Sequence, residues 1–289
     1  MDDDSAGART GVLFVVATPI GNPEDISARA VRILGEVSRI ACEDTRRTGR
    51  MLAAHSIHTP TTSYFEHNEQ RRIPELIARL EAGESLALVT DAGTPTISDP
   101  GYRLVRAAIE AGIGVTAVPG PSAVIAALSI AGLPTNRFVF EGFLPVKTGE
   151  RIRALERLAG EPGTIVIYEA ARRLRELLPA MAAAFGAERQ AAIVREATKT
   201  HEEIARGILR ELAERFAGRE TLGEVTIVIE GAGRLREESA TPGLDEARVV
   251  DVLLEAGLSL KDAAGAAAKL TGLSRRDVYQ NALRRRGKS

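Results

Sequence analysis

The sequence predicts an α/β protein built of two α/β units that are followed by a small, basic helical domain. Three observations support this prediction. Short apolar segments alternate with segments that carry apolar residues at spacings of three and four. Loops rich in glycine, proline and hydroxyl residues follow several apolar segments, and the C-terminal residues become helical and basic in pattern. We expect a loose N-terminal tail over 1–10, α/β domains over 11–118 and 119–233, and the helical domain over 244–289.

The first unit alternates strands with helices. Its apolar strands are expected at 12–17, 39–42, 86–89 and 115–118. Its helices are expected at 27–34, 71–82 and 102–111. Because helices cross over between short successive strands, the sheet should be mostly parallel.

The second unit opens with a strongly apolar stretch over 123–133. This stretch is too short to span a bilayer and contains Ser129 and Gly132, so we interpret it as a buried helix. Strands are then expected at 137–140, 164–168, 191–195 and 225–230. Residues 231–243 are charged and contain glycine and proline, which is typical of a linker.

The C-terminal domain is predicted to hold three short helices, at 245–256, 259–271 and 274–286. Ser259 and Ser274 suit helix N-caps, and Gly272 suits a helix end. From position 261 onward there are eight basic and two acidic residues, and the helix spacing resembles a helix-turn-helix. The candidate RNA-binding side chains in this tail are Arg275, Arg276, Arg284, Arg285 and Arg286. The alternative is a packing helix pair whose charges are only solvated.

The composition excludes several classes of protein. The chain has 289 residues, 44% of them hydrophobic, and a formal net charge of −1. This charge excludes a globally basic surface, so any contact with RNA must come from local patches. The single cysteine, Cys42, cannot form an internal disulfide, and the acidic N-terminus lacks a signal-peptide pattern. We therefore expect a cytoplasmic protein with no membrane association.

The segment 86–101, LALVTDAGTPTISDPG, is the strongest indication of a ligand site. An apolar strand runs directly into a loop whose prolines fix φ and whose glycines let backbone groups approach a ligand. In an open α/β fold such a loop lies at the carboxyl end of the sheet, where small molecules bind. The alternative is an ordinary tight connection between a strand and a helix.

Similar loops follow other strands: TPIGNP at 18–23, CEDTRRT at 42–48, PGPSA at 119–123 and REATKT at 195–200. Together with the 90–101 loop, and in this order, they resemble the ribosomal RNA small-subunit methyltransferase I family of the tetrapyrrole methylase superfamily. The resemblance covers about residues 11–289. It implies S-adenosylmethionine as cofactor, with a cytidine 2′-hydroxyl of 16S rRNA or of the small ribosomal subunit as methyl acceptor. It also implies a homodimer, for which the apolar stretch 123–133 should supply a face that a second copy covers.

The resemblance implies a tetrapyrrole methylase fold with the cofactor in the cleft between the two α/β units. The residues that would line the cofactor are Pro19, Ile20, Asp91, Gly93, Thr94, Pro95, Ile97, Ser98, Ser122, Ala123, Tyr168, Glu169, Ala197, Gly223 and Val225. One run departs from the family pattern. Where the family usually has Glu-Ser-Pro/Thr-His-Arg, this chain has Glu-Ala-Ala-Arg-Arg at 169–173, so a role of that histidine cannot be transferred to Arg172.

The chemistry that the resemblance implies requires no metal. Methyl transfer from a sulfonium is an in-line displacement with a neutral leaving group, so alignment of the acceptor oxygen with the methyl carbon is the main task. His55 and His58 have no matching cluster of metal ligands in the sequence. The first strand is not followed by G-x-G-x-x-G, which argues against a dinucleotide-binding fold.

The acceptor side requires a base or a positioning group for the 2′-hydroxyl. We rank Asp44, Arg46 and Lys199 first as catalytic candidates. Glu43, Glu66 and His67 are further candidates for the base, and Arg47 and Arg195 could hold phosphates. For each charged residue the alternative is an intramolecular salt bridge. Tyr64 and Phe65 could stack on a base or could pack in the core.

Two other functions stay open. A methyltransferase that acts on a small tetrapyrrole would need a wide apolar cleft, whereas the many arginines and the basic tail favour RNA. A non-catalytic RNA-binding module would bind RNA equally well with or without cofactor. Such a module leaves the 90–101 loop unexplained.

Overall fold

The computed structural model describes residues 10–232 and 246–286. Its contacts divide the chain into two compact units. One contains the residues up to Ala159 together with 163–230, and the other contains 160–162 and the residues from 231 onward. Residues 1–9 of the expected N-terminal tail (1–10) and residues 233–243 of the expected linker (231–243) lie outside the described residues.

The first sheet lies in the N-terminal half of the larger unit. Its strands are β1 (Val12–Val16), β2 (Arg39–Cys42), β3 (Thr61–Ser63), β4 (Leu86–Leu88) and β5 (Gly114–Val118). They lie in the order β3-β2-β4-β1-β5, and every neighbouring pair is parallel. The helices are α1 (Ala28–Glu36), α2 (Thr45–Ala54), α3 (Glu69–Glu81) and α4 (Tyr102–Glu110). The predicted parallel sheet is confirmed, whereas α2 and β3 were not expected.

The central strands β1 and β4 are covered on both faces of the sheet, which explains why they are apolar without alternation. On one face Leu34 of α1 packs with Val16 and Ile40. On the other face Leu76 of α3 packs with Leu13. Burial of each leucine stabilises the fold by about 1.5–3 kcal/mol. Because the strands are parallel, the polar loops that follow them all leave the sheet at its carboxyl edge.

The second sheet has a different topology. Its strands are β6 (Phe138–Phe143), β7 (Thr164–Ala170), β8 (Gln190–Arg195), β9 (Glu203–Ile208) and β10 (Glu224–Ile229), in the order β6-β7-β10-β8-β9. Only β6 and β7 pair in parallel, and the other pairs are antiparallel. The helices of this half are α5 (Ala123–Ala131), α6 (Thr148–Leu158), α7 (Leu174–Phe185) and α8 (Leu209–Ala217). The four expected strands are present, and β9 is an addition.

Helix α5 packs against the second sheet of its own chain. Val124 and Leu128 are buried together with Val166, Val194 and Val228. Most of its apolar surface is therefore covered without a second copy. The role of the stretch 123–133 as the face for dimer formation stays a prediction, and Ile125 of α5 remains exposed.

The smaller unit contains the predicted trio of helices, here α9 (Glu246–Glu255), α10 (Leu260–Thr271) and α11 (Arg275–Arg286). The Ser259 hydroxyl accepts a hydrogen bond from the Asp262 backbone N–H, and Gly272 ends α10 in the left-handed conformation. The predicted helix signals at Ser259 and Gly272 are thus confirmed. The core consists of small apolar side chains on all three helices, including Val250, Ala264 and Val278.

The candidate RNA-binding arginines of the tail lie on α11. Arg275, Arg276, Arg284 and Arg285 are exposed, whereas the side chain of Arg286 lies outside the described residues. Within 10–232 and 246–286, no helix is long and apolar enough to cross a membrane.

Candidate functional site

Three loops at the carboxyl edge of the first sheet are joined by backbone and side-chain hydrogen bonds. The Thr18 N–H donates to the Gly93 carbonyl at 2.9 Å, and the Gly93 N–H donates to the Thr18 carbonyl at 3.0 Å. The Thr18 hydroxyl donates to the Thr90 carbonyl at 3.0 Å, and the Thr94 hydroxyl donates to the Pro121 carbonyl at 3.1 Å. The loops 18–23, 90–101 and 119–123 therefore form one connected surface.

The loops around this surface contain strained backbone. Thr96 and Ser98 have φ values of 76° and 60°, and Glu196 and Thr198 have φ values of 51° and 65°. These residues carry a Cβ in the left-handed region, which glycine favours. Such strain persists only where the surroundings determine the conformation, and it is concentrated at functional sites.

The loops enclose a cavity of 310 Å³, which we call the first cavity. It lies between the two sheets and takes residues from both halves of the larger unit. The residues lining it that the sequence predicted for the cofactor are Ile20, Asp91, Gly93, Thr94, Ile97, Ser98, Ser122, Ala123, Tyr168, Glu169, Ala197 and Val225. The structure does not bring Pro19, Pro95 or Gly223 to its lining. Pro19 lines a neighbouring second cavity, and Pro95 is buried beneath the loop. At Gly223 an added Cβ would overlap the Glu196 side chain.

The first cavity is acidic. Six carboxylate side chains line it, against the two cations Arg47 and Lys199. Burial, together with the neighbouring carboxylates of Glu43 and Asp91, raises the pKa of Asp99 to about 6. Burial and Asp91 also raise the pKa of Glu43. A cavity of this charge attracts a cation and disfavours the entry of a phosphate.

Glu169 is the most deeply buried acid of the cavity, with 2% of its surface exposed. Its Oε1 accepts the Ala170 N–H at 2.8 Å and lies 3.2 Å from Nη1 of Arg173. Its Oε2 is buried and has no hydrogen-bond partner among the described residues. Arg172, the residue expected to depart from the family pattern, is exposed. The unpartnered oxygen leaves one acceptor for a bound ligand.

Lys199 reaches the edge of the first cavity from the loop after β8. Its Nζ lies 2.9 Å from Oε1 of Glu196 and 3.2 Å from Oε2 of Glu224. Partial burial lowers the pKa of Lys199, but the hydrogen bonds to Glu196 and Glu224 outweigh burial, and its pKa is raised overall. Lys199 is therefore an ammonium at neutral pH, so it can hold an anion or orient a hydroxyl but cannot accept a proton.

Asp44 caps helix α2 instead of lining the cavity. Its Oδ1 accepts the backbone N–H groups of Arg46 and Arg47 at 2.7 Å and 3.2 Å. These hydrogen bonds lower the pKa of Asp44. Asp44 and Arg46 line an open depression along α2, whereas Arg47 reaches the first cavity, 3.6 Å from Oδ2 of Asp91.

The other predicted acceptor residues lie away from the first cavity. Glu66 and His67 are exposed on the loop before α3. Tyr64 is 1% exposed and its hydroxyl donates to Glu69, so the core interpretation of this ring is correct. Arg195 is held by Glu203 and by the carbonyls of Leu222 and His201. For Arg195 the structure shows the intramolecular salt bridge.

Comparisons with known proteins agree with this geometry. Residues 12–213 match the family model described as Tetrapyrrole (Corrin/Porphyrin) Methylases, and residues 240–286 match the RsmI C-terminal HTH domain. The Ribosomal RNA small subunit methyltransferase I of Pseudomonas aeruginosa is 48% identical over 281 residues, which cover 96% of this chain and 99% of that protein. The protein of the same name from Escherichia coli O157:H7 is 43% identical over 285 residues, 98% of each chain. The chain belongs to the ribosomal RNA small subunit methyltransferase I family.

Solved structures show the fold of this methyltransferase I family member. Uroporphyrin-III-C-methyltransferase from Thermus thermophilus superposes with a TM-score of 0.54 at 20% identity, covering 79% of this chain and 98% of that one. A second structure of that enzyme, complexed with S-adenosyl homocysteine, gives a TM-score of 0.53 at 22% identity and covers 78% and 99%. The predicted tetrapyrrole methylase fold is confirmed.

Sequence reasoning missed several residues that line the first cavity of this methyltransferase I family member. Asp99 lies within the 90–101 loop, and its place between Ser98 and Pro100 could have identified it as a site residue. Phe143, Glu196 and Glu224 come from the second half, and of these three only Glu196 belongs to a loop that the sequence singled out, at 195–200. They become site residues only because β6 and β8 end, and β10 begins, beside the loops of the first sheet.

The cap at Asp44 gives a test that separates structure from catalysis. Asp44→Asn keeps an N-cap acceptor, whereas Asp44→Ala removes it. We expect Asp44→Asn to retain methyl transfer within about twofold, because the cap survives, and Asp44→Ala to lower the melting temperature by about 2–4 °C. Thermal unfolding and methyl-transfer rates measured on both variants check this. A carboxylate that takes part in the reaction itself would instead show a large loss of rate in the asparagine variant at unchanged stability.

Proposed function

We propose that this protein transfers a methyl group from S-adenosylmethionine to the 2′-hydroxyl of a cytidine in 16S rRNA. The observation that carries the proposal is the acidic first cavity, built from the predicted loops, in a chain of the methyltransferase I family. The relatives from P. aeruginosa and E. coli are named as ribosomal RNA methyltransferases. The similarly folded T. thermophilus enzyme is described as a complex with S-adenosyl homocysteine.

The first cavity fits S-adenosylmethionine by charge and by hydrogen-bonding groups. The cofactor carries a sulfonium and an ammonium, which the carboxylates of the cavity attract. Ser122 precedes α5 without a side-chain cap, so the free N–H groups at the start of that helix suit the cofactor carboxylate. The unpartnered Oε2 of Glu169 can accept a hydrogen bond from an amino group.

The bound cofactor supplies a methyl group that is activated toward nucleophilic attack. The protein's part is to align the acceptor oxygen with that methyl group and to receive the hydroxyl proton. Asp99 and Glu43 suit the proton-accepting role, because burial raises the pKa of each toward neutral pH. Lys199 contributes a fixed positive charge at the edge of the cavity. In this scheme Asp44 contributes by capping helix α2, and Arg46 contacts an RNA phosphate.

The proposal is tested with the purified full-length chain, labelled S-adenosylmethionine and small-subunit rRNA from cells that lack the protein. We expect label to enter one cytidine. Its phosphodiester should resist alkaline cleavage, because that cleavage needs a free 2′-hydroxyl. Free 16S rRNA and assembled subunits are compared as acceptors. Label in a tetrapyrrole instead of RNA would support the small-molecule alternative. RNA binding without transfer, and without dependence on cofactor, would support the non-catalytic module.

The basic helix α11 is proposed to dock RNA phosphates. Arg275, Arg276, Arg284 and Arg285 are exposed, and residues 240–286 match a domain described as helix-turn-helix. In this proposal Arg286 belongs to the same group, and Arg47 holds RNA from the larger unit. A helix-turn-helix presents such side chains to nucleic acid.

Replacing Arg284, Arg285 and Arg286 by alanine should weaken RNA binding. The salt slope should fall by up to about three, since each lost phosphate contact lowers it by about one. Cofactor affinity should stay unchanged. Filter binding at several salt concentrations measures the slope. The matched control replaces Arg32, Arg106 and Arg210, three exposed arginines that form surface ion pairs in the larger unit. Equal slopes in the two triple variants would show that the tail charges are only solvated.

We also propose that the protein forms a homodimer and that it resides in the cytoplasm. Large apolar side chains are exposed at Tyr102 and Ile109 of α4 and at Phe143 and Val146, which supports an apolar contact outside α5. The one cysteine, Cys42, is buried and free, in keeping with a reducing compartment. Light scattering at micromolar concentration should give twice the chain mass, and a monomer mass would contradict the dimer.

A further inference from the structure

The second cavity, of 370 Å³, lies between the loop 18–23 and helix α2. Its volume falls in the range of about 300–1,000 Å³ that is usual for small-ligand sites. Thr48 and Met51 line it from the helix, and Pro19 and Gly21 line it from the loop. An added Cβ at Gly21 would overlap the Lys199 side chain, the Ala197 carbonyl and the Thr198 hydroxyl, so the loop can close against Lys199 only because position 21 is glycine.

The second cavity has the opposite charge balance to the first. Arg47, Arg50 and Lys199 line it, against a single carboxylate, that of Asp91. Arg50 is exposed and forms no ion pair within the part of the chain that the structure describes. The Arg47 side chain is 57% exposed, and its contact with Asp91 is a loose one at 3.6 Å. Two guanidinium groups are therefore available to an anion, and guanidinium suits phosphate geometry.

The two cavities share the residues Ile20, Arg47, Asp91 and Lys199. The two cavities therefore adjoin at these four residues. Methyl transfer needs the donor carbon and the acceptor oxygen within about 3–3.5 Å of each other. The acidic first cavity suits the cationic donor, so the adjoining basic cavity is where an anionic acceptor strand can come close to it.

We propose that the second cavity binds the acceptor nucleotide of the RNA, with its phosphate on Arg47 and Arg50 and its ribose against Asp91 and Lys199. This assignment rests on the proposed function, since it names where the RNA substrate of that reaction enters. The α2 cap contributes to it. The Asp44 side chain caps the first turn of α2. The Asp44 N–H donates to Oδ1 of Asp91 at 3.2 Å. These two contacts fix the position of Arg47 and Arg50 relative to Asp91.

Two variants test the second cavity without touching the first. Arg50→Ala removes a phosphate contact, and Ala54→Trp fills part of the cavity from an exposed position on α2. The control is Arg106→Ala, an exposed arginine on α4 that pairs with Glu110. The readouts are cofactor affinity by calorimetry, thermal unfolding, the rate and KM of methyl transfer to small-subunit rRNA, and the salt slope of RNA binding.

We expect Arg50→Ala to raise the KM for RNA about tenfold and to lower the salt slope by about one. Ala54→Trp should lower kcat/KM for RNA by at least about tenfold. Both should keep cofactor affinity and melting temperature within error of the unmodified protein, and Arg106→Ala should change none of the readouts. Normal kcat/KM for RNA in Ala54→Trp, or a salt slope in Arg50→Ala equal to that of the control, would overturn the assignment. Failure of the unmodified protein to methylate RNA at all would instead overturn the proposed function.

Discussion

The reciprocal backbone hydrogen bonds between Thr18 and Gly93 are the interaction on which the site depends. They form an isolated antiparallel bridge beyond the parallel pair β1 and β4, so the loops that follow these two strands leave the sheet as one unit. Gly93 has a φ of 90°, a conformation that residues with a side chain rarely adopt. The Thr94 hydroxyl then bonds Pro121, which ties the start of α5 to the same unit. Without these contacts the walls of the first cavity would be separate, mobile loops.

The strained residues indicate that the site is organised before any ligand binds. A left-handed conformation at a residue with a side chain costs on the order of 1–3 kcal/mol, and hydrogen bonds must offset that cost. At Thr198 they are present, since its N–H donates to Glu202 and its hydroxyl accepts the Asn22 N–H. The second of these bonds joins the loop after β8 to the loop after β1. The two halves of the larger unit are therefore held together at the place where the first cavity opens.

The sequence predicts those features that depend on local pattern, and it fails where partners are distant. Apolar runs located the strands of the parallel sheet, and Gly272 located a helix end, because each signal lies within a few residues. Antiparallel pairing in the second sheet could not be predicted, since a single strand does not reveal the direction of its neighbour. The ion pair of Lys199 with Glu224 could not be predicted either, because Glu224 lies 25 residues away at the start of β10. The sequence makes Asp44 a catalytic candidate, although an aspartate directly before a Thr-Arg-Arg run is also typical of a helix N-cap.

Charge is distributed between the two cavities in a way that the net charge of the chain conceals. A net charge of −1 excludes a globally basic surface, yet Arg47, Arg50 and Lys199 line the second cavity against one carboxylate, whereas six carboxylates line the first cavity. Fields of opposite sign in adjacent cavities act over a few ångströms, and screening at physiological salt confines them to about 8 Å. Each ligand is then favoured in one cavity and disfavoured in the other. In the arrangement that we propose, the cavities meet at four side chains, so binding of both ligands also brings the reacting atoms together, and selectivity and alignment have the same electrostatic origin.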